Sequence, residues 1–74
     1  MKKIGIIGGG QLGKMIAISA KEMGVNTTIL DPNPDSPAFV VSDEKIIANY
    51  DDIKACDELI NTCDIITYEF ENVS

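Results

Sequence analysis

The chain of 74 residues carries 6 Lys+Arg against 12 Asp+Glu, a formal charge of −6, with 45% hydrophobic residues, two cysteines and no histidine. That length allows at most one small domain, and a chain so short buries only about 60% of the surface its unfolded form exposes. Phosphate-backbone and anionic-membrane binding both rest on clustered Lys and Arg, so the acidic balance argues against nucleic acid or a membrane as partner.

Met1-Lys2-Lys3 before Ile4 to Ile7 mimics the start of a signal peptide, but Gly8, Gly9, Gly10, Gln11 and Lys14 interrupt the required apolar stretch. No segment approaches the ~18 apolar residues of a membrane span. In chain order, Lys3 to Ile7 is a short β-branched run ending in glycines, which suits a strand buried on both faces of a parallel sheet. From Gln11 the period becomes helical: Leu12, Met15, Ile16, Ser19, Ala20 and Met23 mark an inner face, and Gly24 can end the helix in the left-handed conformation. Val25 to Leu30 reads as a second strand. Asp31 to Pro37 holds all three prolines and reads as a loop. Lys45 to Ala48 is a third strand, and Asp51 or Asp52 can cap a helix whose inner face carries Ile53, Cys56, Leu59, Ile60 and Cys63. Asp64 to Tyr68 is a fourth strand.

Strands alternating with helices imply an α/β fold: a Rossmann-like half-domain over residues 1–74, a short parallel sheet of about four strands with helices on its faces. Cys56 and Cys63, seven apart in one helix, place their Cα atoms about 10 Å apart, beyond the ~7 Å limit of a disulfide. With no histidine and no Cys-x-x-Cys spacing, both read as buried thiols and no metal site is expected, which points to a reducing, cytoplasmic setting.

Gly8, Gly10 and Gly13 satisfy the G-x-G-x-x-G spacing between a strand and a helix. Gly8 permits the sharp turn, Gly10 lets an anion approach the backbone, and Gly13 lets the helix pack closely on the sheet. The amides near Gln11 and Leu12 then form an anion site worth roughly 1.5–3 kcal/mol per charge-assisted hydrogen bond. A tight turn with no ligand is the alternative. Asp31 closes the second strand 18 residues after Gly13, where a dinucleotide-binding domain places the acid that bonds ribose. Glu69 and Glu71 follow the fourth strand at the same sheet edge as the glycine loop, where they can meet hydroxyl or amine groups of a ligand or simply form a solvated turn.

Gly8 to Met15, Leu30-Asp31-Pro32, Pro37-Ala38, Tyr50-Asp51-Asp52 and Tyr68-Glu69-Phe70-Glu71-Asn72-Val73 together resemble the start of the 5-(carboxyamino)imidazole ribonucleotide synthase family. Lys14, where arginine is commoner, and Ser42, where alanine is commoner, are mild departures. The resemblance implies an ATP-grasp ligase of purine biosynthesis in which ATP and bicarbonate give carboxyphosphate and the amine of aminoimidazole ribonucleotide is carboxylated. It makes this chain the N-terminal, substrate-side domain, a truncation that does not turn over alone. Gly10, Gln11, Leu12 and Gly13 become candidates for the phosphate end of the ribonucleotide and Glu69, with Glu71 second, for the ribose or base end. No catalytic residue is assigned to the chain. ATP and Mg2+ would be held by later domains, which are also its expected partners, with homodimerisation of the full-length enzyme left open. The competing reading is an NAD(P)-binding module of an oxidoreductase or regulatory protein, which explains the glycines and Asp31 but not the segment from Tyr68 to Asn72.

Overall fold

A computed structural model describes residues 2–69. The elements are β1 (Lys3–Ile7), α1 (Gln11–Glu22), β2 (Asn26–Asp31), a 3₁₀ turn (Pro37–Val40), β3 (Glu44–Ile47), α2 (Ile53–Thr62) and β4 (Ile65–Tyr68). The four strands form one sheet in the order β3-β2-β1-β4, and every pairing is parallel. This is the α/β half-domain that the alternating pattern implies. The strand limits shift by a residue or so: β2 runs on through Asp31, β3 starts at Glu44 and β4 starts at Ile65.

Alternation along β1 and β2 splits the core into two clusters. Ile6 and Ile29 pack on one face with Ala17 of α1 and Ala38 of the 3₁₀ turn. Ile7 and Leu30 pack on the other with Leu59 of α2. Each helix therefore covers one face, and the β-branched runs of β1 and β2 are the residues that both faces need. The left-handed φ of +74° at Gly24 stops α1 where the sequence places the stop. Asp52 caps α2, its carboxylate accepting from the Ala55 amide at 3.1 Å. At the sheet's outer corner Lys3 Nζ donates to Glu44 at 2.9 Å, an exposed pair of little energetic weight. The buried Thr27 hydroxyl has no hydrogen-bond partner among the described residues.

Both helices bury only part of the face that their apolar spacing marks: Ile16 and Ala20 of α1, and Cys56, Leu59 and Cys63 at α2, are buried or pack on the core. The buried residues of α1 are Gly13, Ala17 and Ala20, while Leu12, Met15 and Met23 are exposed, Met23 by 72%, and so is Ser19. Small side chains face the sheet because α1 lies close to β1 and the glycine loop. The larger ones line an apolar groove of about 340 Å³ with Ile4, Ile16, Ser19 and Ala20. On α2, Leu59 is the buried residue, with Ala55 and Cys56 packed beside it, whereas Ile53 (76% exposed) and Ile60 project outward. Cys63 lies just past the helix, and both cysteines are free and half-buried rather than fully buried. No helix among the described residues is long and apolar enough to cross a membrane.

Candidate functional site

The connections run from β1 to β2 to β3 in one direction, and the chain then crosses back through α2 to set β4 on the other side of β1. The order therefore reverses at β1, and in open parallel sheets ligands bind at the carboxyl ends of strands flanking such a switch point. Two segments meet there. One is the glycine loop leaving β1; the other is the chain leaving β4. Register brings them side by side: Ile7 pairs with Tyr68, and the Glu69 amide donates to the Ile7 carbonyl at 2.9 Å. Glu69 thus stands level with Gly8 across the β1–β4 seam. Its half-buried carboxylate accepts from the Thr67 hydroxyl at 2.9 Å. Glu71 lies outside the described residues.

The loop itself is built for a close approach. Gly8 has φ +115°, a conformation that side chains rarely adopt, and its amide continues the β1–β2 ladder by donating to Leu30 at 2.9 Å. Gly10 is the N-cap of α1, in an extended conformation, and its carbonyl accepts the first helical bond from Lys14 at 2.9 Å. Among the described residues no side chain caps this end and no acidic residue occupies the first turn, and the positive end of the helix dipole faces the loop mouth. Gln11 and Leu12 are exposed at that end, and a Cβ on the buried Gly13 would run into the Gly8 carbonyl oxygen. The roles expected of Gly8 and Gly13 follow directly from this geometry. Gly10, Gln11, Leu12, Gly13 and Glu69 are brought to one edge.

Asp31 is placed differently from the expectation for a ribose-binding acid. It is 8% exposed, and its carboxylate accepts from the Gly9 amide (2.7 Å), the Asn33 amide (2.8 Å) and the Tyr50 hydroxyl (3.0 Å), with the Ser36 side chain close by. A carboxylate offers about four lone-pair sites, and three internal donors occupy most of them in a nearly closed site. Little acceptor capacity is left for a ribose hydroxyl, and the dinucleotide reading loses much of its second support. The residues that make this network were not marked by sequence spacing as a site. Tandem Asx turns, Asn33 onto Asp31 and Asp35 onto Asn33, were legible in the Asp-x-Asn-x-Asp pattern, whereas Tyr50 arrives from 19 residues away with no local signal.

Burial pushes the Asp31 carboxyl upward, but the bonds from Asn33, Gly9, Ser36 and Tyr50 outweigh it and hold it below its ordinary value. Burial, then the bond and charge of Asp31, push the Tyr50 phenol up to about 12. The folded form of Asp31 resists protonation, so its contribution to stability is present above the ordinary carboxylate range and is lost as pH falls through its lowered pKa. Tyr50 contributes stability below its unfolded value of 10.0, lost as pH rises to about 12. Urea unfolding across pH is expected to show decline at both limits, with Tyr50→Phe flattening the alkaline limb between pH 10 and 12. An unchanged alkaline limb in that variant would contradict the assignment.

Fold and site together define a Rossmann-like half-domain with a glycine loop and a carboxylate at the switch point. The sequence profile of the ribonucleotide synthetase preATP-grasp domain matches residues 1–74, and the chain belongs to that family. It is 62% identical over 71 residues to N5-carboxyaminoimidazole ribonucleotide synthase of Staphylococcus haemolyticus, covering 96% of this chain and 19% of that protein. The solved N5-carboxyaminoimidazole synthetase of Staphylococcus aureus complexed with ADP superposes with a TM-score of 0.92 at 57% identity, over 99% of this chain and 20% of that one. The Aspergillus clavatus synthase in complex with ADP and 5-aminoimidazole ribonucleotide gives 0.83 at 36% identity, over 99% and 20%. The chain thus spans about a fifth of the length of these relatives. No group of three His, Cys, Asp or Glu side chains among the described residues is placed to hold a metal ion, so no metal role is assigned to them.

Proposed function

We propose that this chain forms the ribonucleotide-binding side of an ATP-dependent ligase that carboxylates 5-aminoimidazole ribonucleotide with bicarbonate in purine biosynthesis. The observation that carries the reading is the meeting of the α1 N-terminus and the Glu69 carboxylate at one switch point. A phosphate is taken by the amides around Gly10 to Gly13, and Glu69 accepts from the ribose hydroxyls or the exocyclic amine; Glu71 serves as a second carboxylate. ATP, when bound with Mg2+ by other parts of the longer polypeptide, activates bicarbonate as carboxyphosphate. The residues described here orient the nucleophilic amine and supply no catalytic group. The enzyme works in the cytoplasm.

The test is a titration followed by amide resonances of the full-length protein. 5-Aminoimidazole ribonucleotide is expected to shift Gly10 to Gly13 and Glu69, while NAD leaves them and Asp31 unmoved. Shifts at Gly10 and Asp31 with NAD, and none with the ribonucleotide, would replace this reading by a dinucleotide-binding one.

A further inference from the structure

Gly9, the middle glycine, has no role in the G-x-G-x-x-G spacing, yet the structure ties it down at every point. Its amide donates to Asp31 Oδ2 at 2.7 Å, and its carbonyl accepts from the Ala38 amide at 2.9 Å. A Cβ at Gly9 would come within 2.9 Å of Ser36 Cβ and 3.2 Å of Asp31 Cβ. Both backbone groups of Gly9 are thus held by the segment from Asp31 to Ala38, and that segment lies too close for any side chain. Asp31 in turn is fixed from three directions: Asn33 and Ser36 on its own loop, and Tyr50 after β3.

We propose that Asp31, with Ser36 and Tyr50, is a positioning group that presets the glycine loop for the ribonucleotide phosphate. The acid at the end of β2 would then touch no ligand; it acts through Gly9 on the amides that follow. The inference rests on the phosphate-binding reading of the loop given above. Its physical basis is pre-organisation. Gly8, Gly9 and Gly10 are flexible in isolation, and ordering one backbone residue costs about 1–2 kcal/mol. A loop ordered in advance spares the ligand that cost on binding. The buried carboxylate is suited to the task because it is acceptor-only when ionised and its three donors, the Gly9 and Asn33 amides and the Tyr50 hydroxyl, are built into the fold. Asparagine at position 31 would turn an NH2 donor toward at least one of them. Tyr50 is the peripheral member, and its loss leaves the two backbone bonds in place.

The experiment uses the full-length enzyme with Asp31→Asn and Tyr50→Phe, the latter guarding against a variant that fails to fold. Two quantities are read: hydrogen exchange at the Gly9 amide, and KM for 5-aminoimidazole ribonucleotide beside kcat and KM for ATP. Asp31→Asn is expected to speed Gly9 exchange and raise the ribonucleotide KM about tenfold to a hundredfold, the scale of a displaced binding group, with KM for ATP unchanged. Tyr50→Phe should move both quantities the same way by about threefold, within the range of one weakened neutral hydrogen bond. A purely structural role would lower the unfolding midpoint and leave the ribonucleotide KM intact, which overturns the proposal; so does unchanged Gly9 exchange in both variants. If the wild-type resonances of Gly10 to Gly13 ignore the ribonucleotide, the phosphate reading itself falls. If they respond while the variants keep the native KM, only the positioning role falls.

Discussion

Gly13→Ala is expected to destabilise the domain by up to about 2 kcal/mol and to abolish ribonucleotide binding at concentrations that saturate the native protein. Two effects oppose each other. Inside a helix alanine is favoured over glycine by about 1 kcal/mol, so propensity alone would make the variant more stable. Against it stands the Gly8 carbonyl oxygen, which a Cβ at position 13 would overlap, with Ile6 Cγ2 only 3.5 Å away. Overpacking a tight contact costs about 1–3 kcal/mol, and this one involves backbone at a residue whose φ of +115° allows little adjustment. Sterics should win. Relief requires α1 to lift away from Gly8 or the loop to turn, and either moves the amides around Gly10. Gly24→Ala is the control for added bulk, because Gly24, although at a positive φ of +74°, has nothing within 4 Å of an added Cβ. It should cost only the left-handed strain of about 1–2 kcal/mol and leave binding unchanged. Urea unfolding and ribonucleotide titration of the two variants decide the matter; binding retained by Gly13→Ala would show that loop and helix can separate without consequence.

The contrast between these glycines shows what was legible in the sequence. Turns and periods are local, so the strand–loop–helix order, the stop at Gly24 and the cap at Asp51 or Asp52 could all be read from neighbours along the chain. The parallel sheet followed from the alternation of elements, and the shared edge of the glycine loop and Glu69 followed from the sheet. The buried part of the α1 stripe did not, because Leu12, Met15 and Met23 extend the apolar face of Ile16 and Ala20 as readily as Gly13 and Ala17 do. What decides between them is the distance at which the helix must approach β1, a tertiary quantity that selects small residues. Ile53 and Ile60 on α2 mislead for the same reason, since Leu59, with Ala55, Cys56 and Cys63 beside it, fills the space above Ile7 and Leu30. Asp31 was legible as a residue with a purpose, but not as a buried one. Its position matches the ribose-binding acid of the competing reading, and only the amides of Gly9 and Asn33 and the long-range arrival of Tyr50 show that most of its lone pairs are taken.

Glu69→Gln is expected to weaken ribonucleotide binding about tenfold to a hundredfold while leaving the unfolding midpoint in place. The carboxylate bonds one protein group, the Thr67 hydroxyl, among the described residues, and an amide oxygen accepts that bond equally well, so the fold has little at stake. The ligand loses more. A hydrogen bond to a charged group contributes about 1.5–3 kcal/mol, roughly twice its neutral counterpart, and each 1.4 kcal/mol is tenfold in affinity. One effect works in the opposite direction: removing a negative charge relieves repulsion of the ligand's phosphate. At about 8 Å in a water-like medium that repulsion is roughly 0.5 kcal/mol per unit charge, and salt halves it again, so the lost hydrogen bond dominates. Raising ionic strength offers an internal check, because screening acts on the repulsion and hardly on a contact hydrogen bond. The deficit of the variant relative to the native protein should therefore widen slightly as salt is added. In the full-length enzyme the same substitution should raise KM for 5-aminoimidazole ribonucleotide and leave KM for ATP unchanged. A variant that binds the ribonucleotide as tightly as the native protein would remove Glu69 from the site.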